Sequence, residues 1–525
     1  MVYKPVKMTK YSNYCKNNKI ACFLLVKSHK QAQNTGQRYC FSVNKRGSKM
    51  DKVLVKLNEL IWGAPMIGLI LGIGLILTVG CRLIQLRKLP LALKFMVQDE
   101  EDGKGDVSSF QALCTALSAT IGTGNIVGVA TAIVAGGPGA LFWLELAGLL
   151  GMATKYAEGV LAVKYRSFDS DKKALGGPFY YIEKGLGEKW RPLGKAFALF
   201  GILAGLLGIG TLTQINGITS AAETFFDPDK NHRLQLFGNH YSWAVIISGL
   251  LVTMCVAGVL IGGVKRIAKV SEIIVPAMIV LYVSLCLWLI VLNGDKLPSV
   301  IVLIFRSAFG LEAAAGGALG AMMIAMQKGI ARGIFSNESG LGSAPIAAAA
   351  ARTNEPVRQG LVSMTGTFID TIIVCNMTGM AIILTDAWKI GKDGAAVTIY
   401  AFSQALPLSE TVVSFLLMIC LVFFAFTTIL GWNYYSERCL AYLFNTNKFA
   451  NSFKALYVAA VFIGPYLTVS AVWTLADICN GLMAFPNLIA LIFLSPVVVR
   501  ETRKFFTVKK TASSLVTAKF SVDED

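Results

Sequence analysis

The sequence predicts an all-α polytopic membrane protein with about eleven transmembrane helices. The 525-residue chain is 54% hydrophobic and only 15% charged, and its mean hydropathy is +0.59. Apolar runs of about 18 residues or more, each long enough to cross a bilayer as a helix, recur from Ile61 to Leu494. Clustered glycines interrupt two of these runs, which predicts two discontinuous helices.

The second apolar run, 110–135, contains the stretch 118–128, whose glycines Gly122, Gly124 and Gly128 lie within two helical turns. Each glycine destabilises a helix interior by about 1 kcal/mol relative to alanine, so an interruption here costs little. A break inside a membrane exposes peptide N–H and C=O groups that lipid cannot satisfy, so these groups must face protein or a polar cavity. We therefore interpret 118–128 as a site for a solute and an ion.

Further spans follow in order, and basic clusters lie at the ends that strict alternation places in the cytoplasm. Glycines 310, 316 and 317 interrupt the seventh span, which is predicted to be the second discontinuous helix. Segment 333–345 is predicted to lead into a short cytoplasmic helix at 347–351, with Ser343 as its N-cap. The predicted spans are 61–81, 110–135, 140–163, 197–225, 241–261, 270–292, 301–331, 360–384, 412–432, 455–473 and 482–499.

Residues 1–49 contain eleven Lys and Arg and no Asp or Glu. Aromatic residues are sparse in this basic tail and no fold signature is present, so nucleic-acid binding is not predicted. Alternation places the tail outside, against the positive-inside rule. Either the tail is translocated, or translation begins at Met50 and the tail results from an upstream start. The predicted division is a disordered or artefactual tail 1–49, a transmembrane domain 50–500 and a cytoplasmic C-terminal tail 501–525.

Catalytic chemistry is not predicted. The three histidines lie outside the predicted spans, the 11 cysteines form no CxxC pair, and no Walker sequence occurs. These observations disfavour a metalloenzyme, a catalytic triad and coupling to ATP hydrolysis, so we expect neither enzymatic activity nor a cofactor.

When the helices are counted from the second span, the two glycine-broken helices are the first and sixth of a ten-helix core. This arrangement indicates an inverted-repeat transporter with a site near the middle of the membrane. The chain resembles the alanine or glycine:cation symporter family, also called the sodium:alanine symporters, over about 61–499. The resemblance rests on 118–128, 176–182, 214–216, 314–317, 333–345 and 431–437.

The resemblance implies a leucine-transporter-like fold with one helix before the ten-helix core. It also implies a secondary active symporter that couples uptake of a small neutral amino acid, alanine or glycine, to sodium entry by alternating access. The expected partners are the amino acid, sodium and the lipid bilayer, with no nucleic acid and no obligate protein partner. The expected location is the plasma membrane (a bacterial inner membrane), with a cytoplasmic C-terminus. Alternatives are a proton-coupled or broader-specificity carrier of the same fold and, less favoured, a channel.

The two ends of the first break suit different ligands. Amides of Thr123, Gly124 and Asn125 begin a half-helix and suit a carboxylate. Carbonyl groups near residues 118–121 end the other half-helix and suit a hard cation. The resemblance implies a sodium site formed by the hydroxyls of two threonines and three backbone carbonyls. The alternative for the threonines is a hydrogen bond to the preceding helical turn. The implied sodium residues are Ser118, Ile121, Phe424, Thr427 and Thr428.

The predicted substrate site has further members. Gln214 is predicted to contact the substrate, or else to form an interhelical hydrogen bond. Two aromatic residues are predicted to line or gate the site, or else only to pack. The glycines of the second break leave room for the substrate. The full predicted set is Thr120, Gly122, Thr123, Gly124, Asn125, Gln214, Phe309, Gly316, Gly317 and Trp432.

Charged residues inside predicted spans indicate functional positions by default. Lys155 and Glu158 lie three positions apart and are predicted to pair on one helix face. The acids Glu145, Glu312 and Asp370 have no obvious partner in the sequence, and Glu312 is a candidate for proton coupling.

Overall fold

The computed structural model describes residues 49–98, 100, 103–170, 172–229, 231–236, 239–311, 317–467 and 469–520. The predictions for the tail up to residue 48, for Glu312 and for Gly316 lie outside the described residues. Helices dominate the described chain, which confirms the predicted all-α class. Two short antiparallel hairpins are present: β1 (Ser167–Phe168) pairs with β2 (Ala174–Leu175), and β3 (Arg233–Leu236) pairs with β4 (Asn239–Ser242).

The first part of the chain forms helices on both sides of a π-helical turn, π1, at Gly124–Gly128. The helices are α1 (Lys49–Ile61), α2 (Ala64–Gly80), α3 (Ile84–Arg87), α4 (Leu89–Val97), α5 (Ser109–Thr120), α6 (Val129–Gly136), α7 (Gly139–Lys164), α8 (Pro178–Leu186), α9 (Arg191–Leu207), α10 (Leu212–Phe226), α11 (Trp243–Ile261) and α12 (Gly263–Leu292).

The second part contains a longer π-helical segment, π2, at Phe368–Cys375. Its helices are α13 (Leu297–Ala308), α14 (Ala318–Asn337), α15 (Ala344–Ala348), α16 (Pro356–Thr367), α17 (Asn376–Leu384), α18 (Ala395–Ala405), α19 (Glu410–Phe444), α20 (Ala450–Ile463) and α21 (Val469–Phe520).

Eight helical stretches of the described chain are long and apolar enough to cross a membrane, and the pair α5 and α6, bent by 51°, adds a ninth. The protein is therefore a multi-pass membrane protein, while eleven helices remains a prediction. One predicted boundary is wrong: the span expected at 455–473 ends at Ile463, and the next helix begins at Val469. Gly464 and Pro465 end the helix, whereas the hydropathy pattern continues past them.

The position of the second discontinuous helix also differs from the prediction. Helix α13 ends at Ala308 and α14 begins at Ala318, and the end of α13 lies against the start of α7 rather than beside the first break. Ser307 Oγ accepts a hydrogen bond from the Gly139 amide at 3.0 Å, and the Ala308 carbonyl accepts one from Trp143 Nε1 at 3.0 Å. Helix α6, with its 8 residues, separates these two places by about 12 Å, at about 1.5 Å per residue.

A different interruption lies beside the first break. Helix α14 ends at Asn337, Glu338 adopts a left-handed backbone with φ 56°, and α15 begins only at Ala344. Residues 333–351 are buried. The segment predicted to lead into a short cytoplasmic helix therefore contains a buried break, 338–343, within the protein core.

Candidate functional site: two buried helix breaks

The first break begins where α5 ends. Ser108 and Gln111 form a capping box at the start of α5, and Ile121 leaves the helix with an extended backbone, φ −78° and ψ 98°. Three residues later, at Gly124, the chain enters π1, a helix type that often occurs at functional positions. Every residue from Ser118 to Ile126 is buried, so the polar groups freed by the break face protein.

The amide groups of the first break are paired with side-chain oxygens. The Gly122 N–H donates to Asn125 Oδ1 at 2.9 Å, and the Thr123 N–H donates to Gln214 Oε1 at 3.0 Å. The other end of the Gln214 amide donates to the Ile209 carbonyl at 2.9 Å. Gln214 therefore forms the interhelical hydrogen bond that was the alternative to a substrate contact.

Four of the five predicted sodium residues meet at one place. Thr428 Oγ1 donates to the Ile121 carbonyl at 3.2 Å and to the Phe424 carbonyl at 2.9 Å. Thr427 Oγ1 lies 3.1 Å from the same Phe424 carbonyl. Both hydroxyls therefore form the hydrogen bond to the preceding turn of α19 that is the alternative to a sodium role. Thr428 also contacts the Ile121 carbonyl of the first break. Thr428 Oγ1 therefore lies within hydrogen-bond distance of carbonyl oxygens from two different helices.

The fifth predicted sodium residue, Ser118, packs its side chain against α19. A Cβ atom on Gly431 would lie 2.8 Å from Ser118 Oγ, so the two helices touch there. Gly122 is equally confined, because a Cβ atom on it would lie 2.6 Å from Thr428 Oγ1 and 2.9 Å from Gln214 Oε1. Gly122 is therefore part of the packed surface of the site.

Carboxylates hold the second break. Glu338 Oε1 accepts a hydrogen bond from Trp432 Nε1 at 2.8 Å, and Ser343 Oγ donates to the other oxygen. The Gly340 amide donates to Glu158 Oε1 at 3.2 Å, and Asn487 Nδ2 donates to the same oxygen at 2.7 Å. All of these residues are buried, with at most 1% of the surface exposed for Glu158, Glu338 and Trp432.

Asp370, in π2, connects the two breaks. Its Oδ1 accepts a hydrogen bond from Asn125 Nδ2 at 2.7 Å, which links it to the first break. Its Oδ2 accepts from Ser336 Oγ at 3.0 Å, two residues before the second break, and from Thr371 Oγ1 at 2.9 Å. A fully buried carboxylate with this many donors is satisfied without a basic partner.

Comparison with known proteins assigns the chain to a family. The sequence pattern of the sodium:alanine symporter family matches residues 47–519. The chain belongs to this family. It is accordingly a membrane transporter of the symporter type and not an enzyme.

Three relatives illustrate the range of the sodium:alanine symporter family. An uncharacterized transporter of Haemophilus influenzae is 53% identical over 461 residues, 87% of this chain and 96% of the relative. The sodium/alanine symporter AgcS of Methanococcus maripaludis is 44% identical over 461 residues, 86% of this chain and 96% of the relative. The probable sodium/glutamine symporter GlnT of Bacillus subtilis is 37% identical over 465 residues, 87% and 91% respectively.

Within this symporter the predicted site residues separate into two groups. Thr120, Gly124 and Trp432 lie in or against the buried breaks together with the residues described above: Thr120 ends α5, Gly124 faces Phe335 and Ser336, and Trp432 bonds to the second break. Phe309 and Gly317 do not join them. Phe309 is 46% exposed and packs on Phe142 and Trp143, with ring centroids 5.3 and 6.0 Å apart.

Sequence reasoning missed Ser336 and Glu338 and left Asp370 without a role. A signal for the second break was present, because Gly340 and Gly342 follow a run of polar residues inside an apolar stretch, as in the first break. Lys155 forms no direct ion pair with Glu158, but its charge acts on the nearby carboxylates of Glu158, Glu338 and Asp370. Within the described part of the chain, Lys155 Nζ has neither a hydrogen bond nor an ion pair.

Proposed function

We propose that this symporter couples the uptake of a small neutral amino acid, alanine or glycine, to the entry of sodium by alternating access. The observation that carries the proposal is the meeting of the Ile121 carbonyl, the Phe424 carbonyl and Thr428 Oγ1 at the first break. A shell made only of oxygen suits a hard cation such as sodium. The name of AgcS, at 44% identity, supports the choice of ion and substrate.

Sodium binding requires only a rotation of hydroxyl groups. A cation between the two carbonyls takes their free lone pairs, and the Thr428 hydroxyl turns a lone pair toward the ion. Thr427 and the Ser118 carbonyl complete the proposed shell. Because the helix end at Ile121 carries a partial negative charge, the position favours a cation even before the hydroxyls turn.

The amino acid carboxylate is proposed to bind the amides of Gly122 and Thr123. In the structure Asn125 Oδ1 and Gln214 Oε1 occupy these two donors. A carboxylate that displaces both side-chain oxygens leaves no buried N–H unsatisfied, and it forms stronger, charge-assisted hydrogen bonds. Binding thereby releases Gln214 from the break.

The proposal includes a leucine-transporter-like inverted repeat whose two discontinuous helices are α5–α6 and α14–α15. It also includes a bacterial inner membrane location with a cytoplasmic C-terminus, which the basic residues Arg500, Arg503 and Lys504 favour. A reporter enzyme that is active only in the cytoplasm, fused after residue 520, tests the orientation; an inactive fusion of normal abundance contradicts it.

The transport proposal is tested by uptake of labelled alanine into proteoliposomes. An inward sodium gradient should accumulate alanine above equilibrium, whereas a potassium gradient of the same size should not. Downhill flux alone would instead indicate a channel. Unlabelled glycine, serine and glutamine, added as competitors, define the substrate range.

A proton-coupled carrier is the second candidate, and the buried Asp370 carboxylate between the two breaks is the observation that favours it. Accumulation driven by an inward proton gradient, with sodium absent, would select this candidate. Accumulation that requires sodium at every pH would reject it.

The ion site is tested by replacing the threonine hydroxyls with methyl groups. In Thr428→Val the sodium concentration for half-maximal uptake should rise about tenfold or more, because a hydrogen bond to a charged group contributes about 1.5–3 kcal/mol. Thr365→Val is the matched control, since the Thr365 hydroxyl is equally buried and bonds back to the Val362 carbonyl at 2.7 Å. An unchanged sodium dependence in Thr427→Val/Thr428→Val refutes the assignment.

A further inference from the structure

A groove runs between the end of α2 and the C-terminal part of α21. One end of the groove is basic and contains Arg82, Arg87, Lys88 and Arg503. Gly80 and Arg503 also line an adjoining apolar hollow, which continues the groove along the two helices. The mainly apolar end contains Ile76, Pro496 and Val499, together with Ser495 and the further cation Arg500. We call this feature the α2–α21 groove.

Helix packing fixes the floor of the α2–α21 groove. Gly80 lies against Val499, since a Cβ atom on Gly80 would be 2.9 Å from Val499 Cγ2. Thr502 is buried and shares a hydrogen bond of 2.7 Å with the Tyr156 hydroxyl of α7. The groove is therefore a built feature of the core rather than a gap between mobile surface chains.

The backbone at the basic end is strained in a way that positions Arg82. Helix α2 is closed by hydrogen bonds from the Arg82 amide to Val79 and from the Leu83 amide to Thr78, at 3.0 and 2.7 Å. Arg82 and Leu83 have φ values of 58° and 55°. This left-handed conformation destabilises a non-glycine residue by about 1–2 kcal/mol, and glycine is the usual choice at such helix ends. An arginine at this position suggests a role other than folding.

The positive charge of the groove is not neutralised within the described part of the chain. None of the four cations at the basic end forms an ion pair there. The nearest acid along α21, Glu501, already pairs with Lys164 at 2.8 Å. Lys88 lies over the Phe506 ring at 4.7 Å, which holds its ammonium group at the basic end.

We propose that the α2–α21 groove binds an anionic phospholipid of the surrounding bilayer. The phosphate lies among the four cations, and an acyl chain follows the apolar end past Ile76, which is 55% exposed. Basic pockets at the ends of transmembrane helices bind anionic headgroups in this way. The apolar part of the groove favours a lipid over a soluble anion, because an acyl chain buries apolar surface there and a free phosphate has no apolar surface to bury.

Native mass spectrometry of the full chain in detergent, with added phosphatidylglycerol or phosphatidylcholine, tests the proposal. Phosphatidylglycerol should remain bound and phosphatidylcholine should not. In R82Q/R87Q/R503Q the affinity for phosphatidylglycerol should fall about a hundredfold, or about fivefold per cation. Excess inorganic phosphate should leave the lipid bound; displacement of the lipid by phosphate would show that the groove recognises a soluble anion and would overturn the proposal.

Two further variants separate lipid binding from surface charge and from folding. K265Q/R266Q/K269Q removes three exposed cations outside the groove, at an end predicted to be cytoplasmic, and should bind phosphatidylglycerol as the wild type does. An equal loss in this control overturns the proposal. Arg82→Gly relieves the backbone strain, so its melting temperature should not fall while its lipid affinity falls about fivefold. Full affinity in Arg82→Gly would also contradict the assignment.

Discussion

The two buried breaks differ in the groups that hold them. Neutral amide and hydroxyl groups pair with the backbone amides and carbonyls of the first break, so these can exchange a neutral partner for a charged ligand. The Asp370 carboxylate contacts this break through the Asn125 side chain. The carboxylates Glu158 and Glu338 hold the second break. Removing a partner from a buried charge is more costly than removing one from a neutral group. The comparison therefore suggests that the first break binds ligands and the second is an anchored hinge.

The largest effect on uptake should come from a substitution that fills the space at the first break. Gly122→Ala should abolish sodium-driven alanine uptake, because the new methyl group lies 2.6 Å from Thr428 Oγ1 and must displace either it or Gln214. Overpacking of this kind costs about 1–3 kcal/mol. Gly128→Ala is the control, since its nearest neighbour would be Arg332 Cδ at 3.8 Å, and it should transport normally. Normal uptake by Gly122→Ala would remove Gly122 from the binding surface.

A substitution of Asp370, which links the two breaks, should have the next largest effect on uptake. In Asp370→Asn an amide group replaces one acceptor oxygen and faces the donors Asn125, Ser336 or Thr371, which costs about 1–3 kcal/mol. Uptake should fall at least tenfold, a change of about 1.4 kcal/mol. Ser336→Ala should be non-additive with Asp370→Asn in a double-mutant cycle of uptake rates. Strict additivity would mean that Asp370 does not couple the two breaks.

Two substitutions of Glu338, which holds the second break, should separate the contribution of its charge from that of its hydrogen bond to Trp432. Glu338→Ala leaves the Trp432 indole N–H without its acceptor and should lower the free energy of unfolding by about 1–3 kcal/mol. Glu338→Gln keeps an acceptor oxygen for Trp432 and should cost less. Chemical denaturation monitored by tryptophan fluorescence measures both. Equal losses would show that the charge, rather than the hydrogen bond, is what matters.

The substitution with the smallest expected effect, Gly340→Ala, should distinguish the roles of the two breaks most clearly. Gly340 has φ +86°, and a Cβ atom on it would lie 3.1 Å from Leu488 Cδ2, so Gly340→Ala should lower stability by about 1–2 kcal/mol through backbone strain together with this close contact. The sodium concentration for half-maximal uptake should stay unchanged, because the proposed sodium residues lie at the first break. A shift of that concentration in Gly340→Ala would contradict the division of roles.

Local patterns predicted much of the candidate site. Hydropathy predicted the membrane class, and the density of glycines predicted the break after Thr120. The resemblance supplied Thr427 and Thr428, of which Thr428 reaches the Ile121 carbonyl. The same glycine criterion, applied to the seventh predicted span, selected the gap after α13, and the end of α13 does not lie beside the first break. Glycine density shows where a helix can be interrupted, but packing determines which interruption is buried.

The sequence by itself determined the membrane class, the family and the position of the first break, because each depends on composition or on neighbouring residues. Only the tertiary structure decided that 338–343 is the second buried break and that Asp370 joins the two. Asn125 and Asp370 are 245 positions apart, so no local pattern connects them. Their contact depends on two π-helical segments packing against each other, and that packing is a property of the whole fold.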